Sequence, residues 1–227
     1  MRVWIVFEKG EAIRYISHLD LMRVFQRILV RSGLKLIYSL GFNPHILLSL
    51  ASALPVGICG MREIADIRLE NQYEKDAILT ALRRESPPGI VIHDVISVRI
   101  DCPSPAALLY ASEYAVRLDA QMLASINQHI PTLFLLKDAQ VSYNVKGIDK
   151  HIDIKPLVLS LICNVNNLVM VVVTHQNTVC KPQYVLKKLA ELAEINDFQW
   201  KGITRTHMFL SSGEGRLQFL ECAGSSC

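Results

Sequence analysis

Residues 17–50 read SHLDLMRVFQRILVRSGLKLIYSLGFNPHILLSL, and the order of elements in this stretch decides the fold. Ser17-His-Leu-Asp20 has the form of a helix start, in which the Ser17 hydroxyl accepts an otherwise unpaired backbone N–H and Asp20 reaches back toward the cap. Leu21, Phe25, Ile28 and Leu29 recur at helical spacing and form an apolar stripe. Ser32-Gly33-Leu34 ends the helix, with Gly33 suited to the left-handed position that follows a last turn. Strand-like runs at 36–40 and 46–50 then flank the turn Gly41-Phe-Asn-Pro-His45, in which Pro44 gives no ladder hydrogen bond and pushes Asn43 toward extended geometry.

Working outward, residues 3–7 and 12–16 are apolar and β-prone, so the chain opens with a strand or hairpin. Residues 63–69 alternate as a half-exposed strand, 74–84 read as a second helix, and 90–100 as another strand. Asp101-Cys-Pro-Ser-Pro105 is a linker. Beyond it the order recurs: strand 113–118, helix 121–130, strands near 139–145 and through 157–174, a helix opened by Pro182 and running to about Asn196, then strand 202–210. The expected fold is therefore α+β, with two tandem ferredoxin-like β-α-β-β-α-β units built on antiparallel sheets. The expected boundaries are 1–101 and 107–210, with a flexible Gly/Ser-rich tail at 211–227.

With 51% apolar and 20% charged residues, 227 residues suffice for one large or two ordinary globular domains. The greasy stretch 157–173 is interrupted by Asn164, Asn166 and Asn167, against the roughly 20 mainly apolar residues a membrane helix needs. No secretory leader is visible at the start, so a cytoplasmic protein with no membrane partner is expected. Six scattered cysteines form no C-x-x-C pair and no C-x-x-x-C-x-x-C triplet, which leaves no iron–sulfur cluster or zinc ribbon to expect, and no cofactor is expected at all. Net charge is +3, but residues 1–50 hold seven basic against three acidic side chains. An anionic partner would be drawn to that end.

Arg23, Arg27 and Arg31 follow one another at i, i+4 and i+8 on the first helix, with Arg14 near its entry. They are either a row of guanidinium forks pitched for phosphates or a solvated helix face. Tyr38 and Phe42 offer rings for base stacking, the usual grip on single-stranded RNA, or else belong to the core. His18, Asp20 and His45 do not read as a metal site, because side chains at i and i+2 of a helix point apart. His18 with His45 as an acid–base pair for RNA cleavage is the enzymatic alternative.

Together, Ser17-His-Leu-Asp-Leu21, Tyr38-Ser-Leu-Gly-Phe-Asn-Pro-His45, Ser49, Leu54-Pro-Val-Gly57 and Glu63 resemble the radical SAM-linked protein family. Ile46 and Gly57-Ile-Cys-Gly-Met61 depart from its pattern. Lys146-Gly147 and Asp153-Ile-Lys155 are similar to the family's later motif. The resemblance implies a stand-alone form of a domain of unknown function that also occurs C-terminal to radical SAM enzymes, and hence a radical SAM enzyme as partner. The expected role is a non-catalytic module that binds a substrate, RNA, for that partner. The residues expected at the ligand are Arg14, Ser17, His18, Arg23 and Arg27 from the helix and its entry. From the turn come Tyr38, Ser39, Gly41, Phe42, Asn43, Pro44 and His45, and from the later motif Lys146 and Asp153. An RNA-cleaving or RNA-modifying enzyme, or a pure protein-interaction domain, are the alternatives.

Overall fold

The computed structural model describes residues 1–175, 178–211 and the backbone of 217–219, so most of the expected tail lies outside the described residues. The fold is mixed α+β, with mostly antiparallel sheet and five α-helices among the described residues. Chain contacts divide it into two compact units, Met1–Tyr110 with Arg205–Cys227, and Ala111–Thr204.

In the first unit, β1 (Arg2–Lys9) leads through a short 3-10 turn (Glu11–Ile13) into α1 (His18–Ser32). The short β2 (Leu48–Leu50) and long β3 (Ile58–Arg68) follow, then α2 (Lys75–Glu85) and β4 (Ile90–Val98). A single turn of helix, α3 (Pro105–Leu108), begins at the last residue of the expected linker, Asp101–Pro105. The strands order as β4, β1, β3, β2, and every pair is antiparallel.

Alternation along β1 sets the two faces. Val3, Ile5 and Phe7 pack with Ala65 and Ile67 of β3 against Leu21, Phe25, Ile28 and Leu29 of α1 and Ile78 and Leu82 of α2. Phe7 and Phe25 meet with ring centroids 4.4 Å apart. The intervening residues Trp4 and Val6 face the other way, into a second apolar cluster with Ile64, Val98, Cys102, Leu109, Met208 and Leu210. Arg2, Asp66 and Arg68 share that second face, because Arg2 pairs with Arg68 and Trp4 with Asp66 across the strands.

The second unit begins in β5 (Leu109–Arg117) and continues with α4 (Ala120–Leu135), the hairpin β6 (Gln140–Val145) and β7 (Ile148–Asp153), and β8 (Val158–Cys163). Next come β9 (Asn167–His175), β10 (Thr178–Val179) and α5 (Pro182–Leu192). β9 is central, flanked by β5 on one side and by β8 and β10 on the other, all antiparallel. The asparagines at 164, 166 and 167 turn β8 into β9, so the greasy stretch is a strand pair; among the described residues no helix is long and apolar enough to cross a membrane. β11 (Gly202–Ser211) lies beside β3, and β12 (Leu217–Phe219) pairs with β11.

Candidate functional site

The turn is a short hairpin closed by its own side chains. Tyr38 and Ile46 form an isolated antiparallel bridge, and the Ser39 backbone N–H donates to the His45 carbonyl at 2.8 Å. Ser39 Oγ accepts from the His45 backbone N–H at 3.1 Å and lies 2.8 Å from His45 Nδ1. If the hydroxyl gives its own proton to Nδ1, the ring proton lies on Nε2. Gly41 has φ +134°, with nothing within 4 Å of where a Cβ would stand, so the glycine serves the backbone path and not close packing.

This locked loop displays its apolar residues to water. Phe42 and Leu40 are fully exposed, at 107% and 102%, and Tyr38 is exposed at 46%. Asn43, Pro44 and His45 are exposed as well. Core packing is thus excluded for Phe42, whose ring is free on both faces to meet a partner.

Beside the turn is a cavity of about 360 Å³ lined by His45, Ile46, Leu47, Leu48 and Ser49 together with Arg2, Asp66, Arg68 and Ser104. The strand register explains the set: Arg2 opposes Arg68, and Ser49 opposes Asp66. Arg2 is buried and bound twice to Asp66, at 3.0 Å through Nε and 2.6 Å through an Nη, and it also donates to the carbonyls of Ile100 and Cys102. Arg68 is exposed and, among the described residues, its guanidinium has no hydrogen-bond or ion-pair partner. Ser104 Oγ accepts from the Ala107 N–H at 3.2 Å, leaving its own proton available.

The helix entry is built as the sequence implied. Ser17 caps α1, with its Oγ accepting from Asp20 N–H at 3.2 Å and donating to the Asp20 carboxylate at 2.7 Å. The Ser17 hydroxyl and then Arg23, 2.9 Å away, hold the Asp20 carboxyl below the usual range. Arg31 pairs with Glu85 at 2.9 Å, and Arg27 has no partner among the described residues. Arg23, Arg27 and Arg31 line a separate surface depression of about 290 Å³ with Gln26 and Val30. No residue lines both hollows: α1 packs on the Val3, Ile5 and Phe7 face of the sheet, whereas Arg2, Asp66 and Arg68 of the cavity lie on its other face, so the helix row and the turn do not form one pocket. Arg14 is engaged locally, paired with Glu11 and donating to Tyr15 Oη at 2.6 Å. His18 has an enclosed Nδ1 without a partner and does not line the cavity at His45.

A buried ionic cluster lies beneath this entry. Lys9, 1% exposed, donates from Nζ to the carbonyls of Arg14 at 2.9 Å and Ile16 at 3.2 Å, and burial holds its ammonium below the usual lysine range. Glu63 and Arg205 form a two-pronged pair at 2.8 and 2.5 Å, with Arg205 also donating to Ser52 Oγ at 3.3 Å. The Cys59 thiol donates to Glu11 at 3.2 Å; burial and that carboxylate push it up to about 11. Glu63 was legible in the sequence as a motif residue. Its partner Arg205, and the Arg2–Asp66–Arg68 set, carried no local signal.

In the second unit, Lys146 and Gly147, at φ +52° and +83°, form the tight turn between β6 and β7. Lys146 is exposed at that tip. Asp153 does a structural job, accepting from the backbone N–H of Ala139 at 2.8 Å and Lys155 at 3.0 Å at the hairpin base. Among the described residues no three His, Cys, Asp or Glu side chains gather as a metal would require.

No curated protein matches the chain. Residues 2–182 match the model of a family described as uncharacterized protein conserved in bacteria, DUF2344, a span that takes in the cap, the turn, the cavity and the β6–β7 hairpin; the chain belongs to that family.

Proposed function

We propose that this protein is an accessory module that binds RNA for a separately encoded radical SAM enzyme in the cytoplasm. The observation that carries the reading is Phe42, whose ring is wholly exposed at the tip of a loop closed by hydrogen bonds between Ser39 and His45. Exposing a phenylalanine on a locked hairpin forgoes about 1.5–3 kcal/mol of burial, so an evolved protein gains only if a partner covers it. Unpaired bases suit it, since a base stacks on an exposed ring for about 1–3 kcal/mol. Arg27 and Arg68, whose guanidinium groups have no partner among the described residues, supply backbone attraction. The partner rests on the resemblance of the motifs at 17–21 and 38–45 alone. The strand order β4-β1-β3-β2 in the first unit supports the finer reading of that unit as ferredoxin-like; in the second unit five strands, β6 to β10, lie between α4 and α5, and the ferredoxin-like reading there treats the β6–β7 hairpin and β10 as additions to the pair β8 and β9.

Binding of a labelled unstructured RNA, followed by anisotropy at two salt concentrations, tests this. Phe42→Ala is expected to weaken binding about 5- to 100-fold, the equivalent of one stacked base. Wild-type protein that ignores RNA at low salt, or a variant that binds as well, contradicts it. A radical SAM enzyme recovered with the tagged protein from its native cell is the expected result for the partner.

A further inference from the structure

We propose that the cavity between the turn and β3 is a phosphate-monoester site, so that the RNA held by this module presents a terminal phosphate. The inference rests on the RNA reading only for the source of the phosphate; the cavity's own chemistry carries the rest.

Arg2 and Arg68 oppose each other across β1 and β3, an arrangement in which like charges destabilise a sheet. One is compensated: Arg2 has both Asp66 oxygens and the carbonyls of Ile100, Cys102 and Pro103. The Arg68 guanidinium has no partner among the described residues, and no other acid lines the cavity, so the site keeps an excess of positive charge. Evolution would readily relieve such repulsion by one substitution; its presence at a cavity wall fits a dianion that arrives from outside. A guanidinium fork binds phosphate oxygens in pairs, a geometry lysine cannot offer.

The neutral donors agree. Ser39 Oγ holds the His45 ring through Nδ1 at 2.8 Å, which leaves Nε2 to serve a ligand, and His45 lines the cavity. Ser49 Oγ has no partner among the described residues, and the Ser104 hydroxyl proton is free. The side chains of Arg68, Ser49 and Ser104 can all donate there. The sole acid, Asp66, is occupied by Arg2. A monoester, carrying roughly −1.5 to −2 at neutral pH, matches this set better than a singly charged internal phosphodiester. At about 360 Å³ the cavity lies toward the small end of ligand sites, enough for a phosphate and its sugar while the base remains outside.

The test uses the full-length protein and one RNA octamer in three forms, 5′-phosphorylated, 3′-phosphorylated and unphosphorylated, with inorganic phosphate and AMP as small probes. One phosphorylated form is expected to bind at least tenfold tighter than the unphosphorylated one. Arg68→Ala, at an exposed position, is expected to abolish that difference, whereas Phe42→Ala lowers all three affinities together. Inorganic phosphate is expected to shift the His45 ring signals in an NMR titration of the wild type and not of Arg68→Ala. Equal binding of the three octamers with no response to phosphate overturns the site while leaving the RNA reading intact. A phosphate response in a protein that binds no RNA keeps the site and removes the RNA reading.

Discussion

Arg205 and Glu63 stand 142 positions apart and meet as a buried pair, 2% and 4% exposed at their side chains. Each charge has left water, and removing one strands the other, at a cost of about 3–5 kcal/mol. Arg205→Ala should therefore lower the unfolding free energy read from urea denaturation by that amount, and a variant within about 1 kcal/mol of wild type would show that the pair is unimportant. Cys59 gives a second residue-level expectation. With its thiol pushed up to about 11, it is protonated at neutral pH and should alkylate slowly, as read by peptide mass mapping. Glu11→Gln removes the carboxylate that favours the neutral thiol, so the thiol's value falls and alkylation at pH 8 should speed up. The residues legible from sequence were those whose type exceeded local need: Phe42 and His45 in a turn that required neither, and Ser17 before an apolar stripe. Arg68 and Arg2 were not legible, since their meeting depends on strand register, a tertiary property.

At the level of elements, α1 is the clearest case of local chemistry deciding structure. Its cap, stripe and left-handed Gly33 at φ +78° fall where the pattern put them. Ser17→Ala should cost about 1 kcal/mol, seen as a lower melting temperature with unchanged far-ultraviolet dichroism at 20 °C. A loss of well under 0.3 kcal/mol would mean that Asp20 caps unaided. Two elements differ from expectation for physical reasons. The helix expected to end at Ile130 runs to Leu135 with Pro131 inside it, because the apolar face continues through Leu133, which is 1% exposed. The strands expected at 36–40 and 46–50 shrink to isolated bridges at Leu36 and Tyr38 and a three-residue β2, because side-chain bonds between Ser39 and His45 take over from a regular ladder. Lys146-Gly147, given in the sequence only as part of a later motif, turns out to be the tip of a distinct hairpin.

Across the whole molecule, each unit carries its own antiparallel strands and its own helices, and the family match spans the first unit's 2–110 and most of the second. The features that point outward are concentrated in the first unit: the exposed ring on the turn, the cation row on α1 and the cavity that keeps an uncompensated arginine. That concentration matches the surplus of basic residues in the first 50 positions. A module that uses them together should bind a polyanion through both stacking and charge. The most direct measurement is the affinity of wild type and Phe42→Ala for one unstructured RNA across a range of salt. The account predicts a steep fall with salt for both proteins, by parallel lines offset at every concentration by the lost stack. Coincident lines, or no measurable binding at the lowest salt, would contradict it.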